Sequence, residues 1–250
     1  MTMPTIPSLA ADQATSAEDL TYIAEQLPPY NYQEDGQRQG ISVDLLEEMW
    51  TIMGVGLNRS AIEILPWADG YKRALEENNT VLLTTGRIPE REHLFKWAGP
   101  AVSGRYALMA RRDRNIAIET PEDLKKYKIG TIVNDMAVQL LLDEGIRVED
   151  LILKTSPTPI IEMLENGTID AWAYNDVTAF WLIRESGANA SEYETTYVLE
   201  LADAYYAFNN GTSDSLVQAF QQALDRIKGN RDTAGASDYE KTLARYIPTG

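Results

Sequence analysis

Short apolar runs alternate with amphipathic stretches along most of the chain. Leu20-Thr21-Tyr22-Ile23 predicts a first strand, which runs into the stiff aromatic loop Pro28-Pro29-Tyr30. Asp35-Gly36 marks a turn, and Ser42 is a good N-cap for a helix. From Val43 to Met53, Leu45, Leu46, Met49, Trp50 and Met53 recur at helical spacing, a core-facing stripe. Ile62-Glu63-Ile64-Leu65 alternates as a strand and stops at Pro66-Trp67; Tyr71, Ala74 and Leu75 predict a short helix ending near Asn78-Asn79. Thr80 to Leu83 is the next strand. Phe95-Lys96-Trp97 and Tyr106 to Ala110 predict two more, separated by Gly99-Pro100 and Gly104.

A second series begins after Arg111-Arg112-Asp113-Arg114. Thr120-Pro121-Glu122-Asp123 has the form of a helix start, with Thr as cap and Pro in the first turn. Strands are predicted at 128–133, 151–153 and 169–174, and helices at 136–144, 160–164 and from Asn175-Asp176 to Ser186-Gly187. Late strands at 198–201 and 204–208 precede two helices, 213–228 and 238–246. Strands alternating with helices throughout predict an α/β fold whose mostly parallel sheets are covered on both faces.

Composition narrows the chemistry. The net charge of −16, from 22 basic and 38 acidic residues, opposes phosphate backbones and argues against nucleic-acid binding. The absence of cysteine excludes disulfides, thiol catalysis and cysteinyl metal sites. The single histidine, His93, lies in a charged segment and reads as a surface residue, which leaves no basis for a zinc site or a histidine triad. No apolar run is long enough to span a bilayer. Residues 1–17 are rich in Thr, Pro, Ser and Ala and read as a disordered lead-in, compatible with a spacer left after an export signal or anchor.

The densest candidate chemistry follows the apolar run Val81-Leu82-Leu83. There Thr84-Thr85-Gly86-Arg87-Ile88-Pro89-Glu90-Arg91-Glu92 joins small hydroxyl and glycine residues to arginines. Gly lets a backbone approach a ligand, and Arg offers a planar fork for a carboxylate. At a strand end in an α/β protein this suits a carboxylate-binding site. It equally fits a helix start, with Pro89 in the first turn and Glu90 facing the helix N-terminus.

Read in order, the chain resembles the family 3 solute-binding proteins of ABC importers, the polar amino-acid type, over about residues 19–248. The markers are Pro28-Pro29-Tyr30, Gly40-Ile41-Ser42-Val43-Asp44-Leu45, Thr84 to Glu92, Asn166-Gly167-Thr168-Ile169-Asp170-Ala171 and Tyr205-Tyr206-Ala207-Phe208. The resemblance implies two α/β lobes of the periplasmic-binding type joined by two crossover strands. Lobe 1 would hold 18–109 plus 203–250 and lobe 2 would hold 110–202, with hinges near 109–113 and 200–205. Arg91 would pair with a ligand carboxylate beside Thr84, Thr85 and Gly86. Asn134, Asp135 and Met136 would face it from a helix N-terminus in lobe 2, Asp135 either as the helix cap alone or as cap and ligand contact, with Tyr30 and Trp67 as walls; Tyr32 and Trp172 read as structural.

Two departures from the family pattern bear on the ligand. Asn134-Asp135-Met136 replaces the usual Gly-Thr-Thr type of turn, and Asn175 stands where amino-acid binders carry an aspartate for the ammonium group. Glu25, Asp135 or Asp176 could compensate; otherwise the ligand is not an ordinary α-amino acid. Arg87 either adds a second positive charge to the cleft or turns outward to Glu90 or Glu92.

The resemblance implies a monomeric extracytoplasmic protein, lipid-anchored in a longer precursor or free. It would capture an amino acid or related acid, without catalysis or cofactor, and deliver it to an ABC permease. A cyclohexadienyl-dehydratase-like enzyme and the sensor domain of a receptor are the alternatives on the same scaffold.

Overall fold

The computed structural model describes residues 16–246. The expected lead-in therefore lies almost wholly outside the described residues. Its last member, Ala17, is ordered and buried, and its carbonyl accepts a 2.8 Å hydrogen bond from the Tyr22 hydroxyl.

Two strands of 17 residues, β6 (Phe95–Arg111) and β10 (Tyr193–Asn209), run antiparallel to each other and form the spine of the molecule. On one side of them lie β5 (Thr80–Gly86), β1 (Thr21–Ala24) and β4 (Ile62–Ile64). On the other lie β9 (Ala171–Asn175), β7 (Ile129–Ile132) and β8 (Ile152–Lys154). Strand β1 is parallel to both its neighbours, and so is β7. The result is the expected α/β fold, a mixed sheet that is mostly parallel within each half.

Each half has its own helices. The first is covered by α1 (Ile41–Met53), α2 (Trp67–Glu76), α6 (Asp214–Gly229) and α7 (Asp238–Tyr246), the second by α3 (Met136–Asp143), α4 (Pro157–Glu165) and α5 (Asp176–Glu185). The helical stripe anticipated in α1 faces inward: Leu45, Leu46, Met49 and Trp50 are fully buried, and Trp50 meets Tyr22 edge-on at 4.8 Å. In β9 the two-residue period separates two cores. Ala171 and Ala173 pack with Leu108, Ile129 and Leu141 on the α3 face, while Trp172 and Tyr174 join the other core and stack at 5.1 Å.

The structure departs from the sequence reading in four respects. Ser42 does not cap the first helix: α1 begins at Ile41 with Gly40 as its N-cap, and Ser42 lies within its first turn. The pairs of strands expected at 95–110 and 198–208 are single long strands. Gly99-Pro100 falls where the ladder shifts register, between Ala98 opposite Tyr206 and Val102 opposite Ala204, so the break expected there is a bulge. Residues Tyr32–Glu34 and Gln37–Gln39 form a small hairpin, β2 and β3, around the Asp35-Gly36 turn. The helix expected after Thr120 is a 3-10 segment, Pro121–Lys126, with a capping box between Thr120 and Asp123.

Between the halves the sheet thins to a ribbon. Strand β10 pairs with β5 only from Ala204, and β6 pairs with β9 only from Tyr106. Residues 103–105 and 201–203 therefore have only each other as sheet partners, and the Ser103 hydroxyl donates to Asp203 Oδ1 at 2.6 Å. Met109 and Ala110, at the expected lobe boundary, are fully buried.

Candidate functional site

Arg91 closes the 3-10 turn Pro89–Arg91, which Pro89 begins with its fixed φ. The helix-start reading of this segment is thus correct for one turn, and its last residue is turned inward, only 5% exposed. Its guanidinium carbon lies 5.3 Å from the Trp67 ring and 5.2 Å from the Tyr71 ring, within cation–π range of both. The two rings come from one face of α2, four positions apart, which is the spacing that makes helical neighbours. Nη1 donates to the Gly86 carbonyl at 3.3 Å and Nη2 to the Asn134 carbonyl at 2.8 Å.

The Asn134 carbonyl belongs to the opposite half of the molecule, and it also accepts from Trp67 Nε1 at 2.9 Å. Asn134 has a left-handed backbone, φ 60°, which turns the chain from β7 into α3. Asp135 then caps α3, its Oδ1 accepting from the Ala137 amide at 2.8 Å. Burial pushes the Asp135 carboxyl up to about 6, against the pull of the helix amides and of Arg91. Met136 comes next and is 2% exposed. A Cβ at Gly86 would lie 2.6 Å from its sulfur, so a side chain there would displace the Met136 thioether.

Glu25 sits at the end of β1, 9% exposed. Burial pushes its carboxyl well above the ordinary range; Asp135 adds to that shift, and Arg91 and Tyr174 oppose it. The Tyr174 hydroxyl is buried and faces Glu25, whose charged form it favours. Burial likewise holds the Tyr106 and Tyr174 hydroxyls well above the usual tyrosine range.

Among the spaces lined by described residues of both halves, two lie beside Trp67 and Gly86. One, of about 240 Å³, has Glu25 in its lining together with Trp67 and Ile132. The other, of about 10 Å³, is lined by Tyr30, Thr84, Gly86, Tyr106 and Asn175 and has room for about one water molecule.

The structure thus brings Arg91, Gly86, Asn134, Asp135, Met136, Glu25 and Trp67 together, with Tyr30 at the edge. It does not bring Arg87. That side chain turns outward to Glu92, at 2.7 and 2.6 Å, and lies over the rings of Trp97 and Tyr205. The hydroxyls of Thr84 and Thr85 are engaged within their own half. Thr84, held at a strained φ of 52°, lies against Asn31 Oδ1 and 2.7 Å from Ser42 Oγ; Thr85 donates to the Leu82 carbonyl at 3.3 Å. Asn175 Oδ1 caps α5 by accepting from the Thr178 amide at 3.1 Å. Sequence reasoning missed Tyr71, Tyr106 and Tyr174 as site residues; only Tyr71 had a signal, its helical spacing from Trp67.

Solved structures share this architecture. A histidine kinase sensor domain similar to periplasmic binding proteins superposes with a TM-score of 0.76 at 20% identity, over 92% of this chain and 98% of the other. A histidine-bound substrate-binding protein of an ABC uptake transporter from Streptococcus pneumoniae gives 0.75 at 15% identity, over 93% and 94%. An ancestral arginine-binding protein bound to arginine gives 0.71 at 17% identity, over 92% and 98%. The fold is therefore that of the periplasmic-binding class. The chain belongs to the bacterial extracellular solute-binding proteins, family 3, whose model matches residues 21–239. No curated protein matches the chain.

Proposed function

We propose that this protein captures a small carboxylate-bearing ligand, an amino acid or a related acid, between two lobes and delivers it to an ABC permease outside the cytoplasm. The lobes are the two halves of the sheet, and they rotate about the ribbon 103–105 and 201–203. The protein acts as a monomer and performs no chemistry on its ligand.

One observation carries this reading. Arg91 of one half is buried, framed by two aromatic rings, and gives its donors to main-chain carbonyls rather than to a carboxylate. When the lobes part, the Asn134 carbonyl withdraws and the guanidinium regains donors in a recess poor in water. A ligand carboxylate would satisfy them in pairs, contributing about 1.5–3 kcal/mol. A sensory role would use the same capture step, and a histidine kinase sensor domain shares the fold; the protein that the closed lobes meet separates the two roles.

The test is a melting screen with the twenty amino acids and their deaminated acids. A bound ligand at about 100 times its Kd adds roughly 2.7 kcal/mol. At least one carboxylate should raise the melting temperature, and its neutral amide should not. A flat response to every carboxylate would reject the reading.

A further inference from the structure

Another cavity lies wholly within the second half and takes no part in the cleft. It measures about 490 Å³ and opens beside the starts of β7 and β8, at the opposite end of β7 from Asn134. Its apolar lining is Leu124, Ile129, Ile146 and Leu151, all buried in the core of this half. Its charged lining is Lys125, Lys126, Lys128 and Arg147, faced by a single carboxylate, Asp150, among the described residues. We propose that this cavity binds a phosphate ester with an apolar body. The phosphoryl group sits among the cations, and the body lies on the four apolar side chains. The site is independent of the reading of Arg91.

The concentration of positive charge runs against the chain as a whole, whose net charge is −16. The cations come from two stretches, the lysines from the end of the 3-10 segment Pro121–Lys126 and its exit, and Arg147 from the turn after α3. Lys125 reaches from the first stretch towards the second. A Cβ on Gly145 would meet only its ammonium nitrogen, 3.8 Å away. Lys128 brings an uncommitted charge. Its amide donates to Asp170 Oδ2 at 2.8 Å, but no carboxylate among the described residues ion-pairs with its ammonium group.

The other three cations have carboxylate partners close in sequence. Lys125 pairs with Glu122 at 2.7 Å, Lys126 with Asp123, and Arg147 with Asp150 at 2.7 Å and Glu149 at 3.3 Å. Glu122, Asp123 and Glu149 do not line the cavity, and Asp123 is also held by the Thr120 amide at 3.0 Å. The three cations are exposed, and ion pairs of exposed side chains contribute little, so an incoming anion exchanges for them at small cost.

The residue types select the ligand. A carboxylate is matched by the planar fork of arginine, whereas several ammonium groups set around a space suit an anion whose charge is spread over three oxygens. The apolar lining suits a hydrocarbon body, and the volume falls within the range of about 300–1,000 Å³ usual for small-molecule sites. The same lysines stand near the ends of the 3-10 segment and of α3, where cations offset unpaired carbonyls without any ligand. Binding separates the two roles.

The test is calorimetric titration with hexyl phosphate, inorganic phosphate and hexanol. The proteins are wild type, Lys128→Gln, the double variant Lys125→Gln with Lys128→Gln, and Arg91→Ala. Wild type should bind hexyl phosphate at least about tenfold more tightly than inorganic phosphate or hexanol, because each lacks one half of the ligand. The double variant should lose about tenfold or more, and Lys128→Gln, which breaks no ion pair, should lose part of that. Arg91→Ala should bind as wild type does. Sedimentation with vesicles of phosphatidylglycerol, against phosphatidylcholine, then identifies the source of the ester. Binding to phosphatidylglycerol that the double variant loses supports a lipid headgroup, and binding to neither supports a soluble ester. The proposal is overturned if wild type does not bind hexyl phosphate, or if the double variant binds it equally well; the lysines then serve the helix ends alone. Loss of binding in Arg91→Ala would place the anion in the cleft and overturn it too.

Discussion

The Arg91 guanidinium reaches the main-chain oxygen of Asn134 at 2.8 Å, joining residues 43 positions apart on opposite sides of the connecting ribbon. The same oxygen receives the Trp67 indole at 2.9 Å. One carbonyl thus collects two donors of the facing half.

Trp67→Phe keeps an aromatic ring beside Arg91 and removes only the indole donor. Closure should weaken by about 1 kcal/mol, a roughly fivefold loss in affinity for any ligand that needs the closed form. The unliganded melting temperature should move little. Equilibrium titration of the variant checks this; an unchanged affinity would mean that the indole bond does not contribute to closure.

Asp135 gives a pH signature. Its carboxyl rises from an ordinary 3.8 to about 6 on folding, so the folded protein holds the proton more tightly than the unfolded chain. The penalty is absent below pH 3.8, grows through the window up to 6 and is complete above it. Asp135→Asn lacks this penalty and can still cap α3. Relative to wild type it should gain stability between pH 4 and pH 7, by at most about 3 kcal/mol. Denaturant unfolding at both pH values measures the difference, and a gap that stays constant contradicts it.

Gly40 allows α1 to begin directly against the Pro28–Asn31 loop. Its φ is 120°, and a Cβ there would fall 2.4 Å from the Tyr30 carbonyl oxygen, which is main chain and cannot swing away. Gly40→Ala should cost about 1–3 kcal/mol from the backbone conformation, with the clash in addition. A shift of the unfolding midpoint to lower denaturant checks it; wild-type stability would show that the loop can yield.

Much of the fold was legible because its helices and inner strands carry clean periodicity. Of the stripe Leu45, Leu46, Met49, Trp50 and Met53, the first four form the buried face of α1 and Met53 is half-buried at its end, and the run at 80–83 predicted the strand that leads to Arg91. The hairpin at 32–39 was hidden because its strands, Tyr-Gln-Glu and Gln-Arg-Gln, offer no apolar face. The long strands were hidden because Gly99-Pro100 signals a break locally, whereas the bulge it forms depends on β10, about a hundred residues away.

For the site, residue type was informative and side-chain direction was not. Arg87 and Arg91 carry the same chemistry four positions apart, and only the fold turns one to Glu92 and solvent and the other into the cleft. Thr84 looked like a ligand contact because a hydroxyl at a strand end suits one. Its hydroxyl is instead held by Asn31 and Ser42, contacts made across long stretches of chain.

The central claim is that Arg91 receives a ligand carboxylate. Its most direct measurement is a calorimetric titration of wild type and Arg91→Ala with the amino acid or acid that most raises the wild-type melting temperature. The account predicts binding by wild type and at least about a tenfold loss in Arg91→Ala, with circular dichroism showing the fold intact. Equal affinity in the two folded proteins would contradict it.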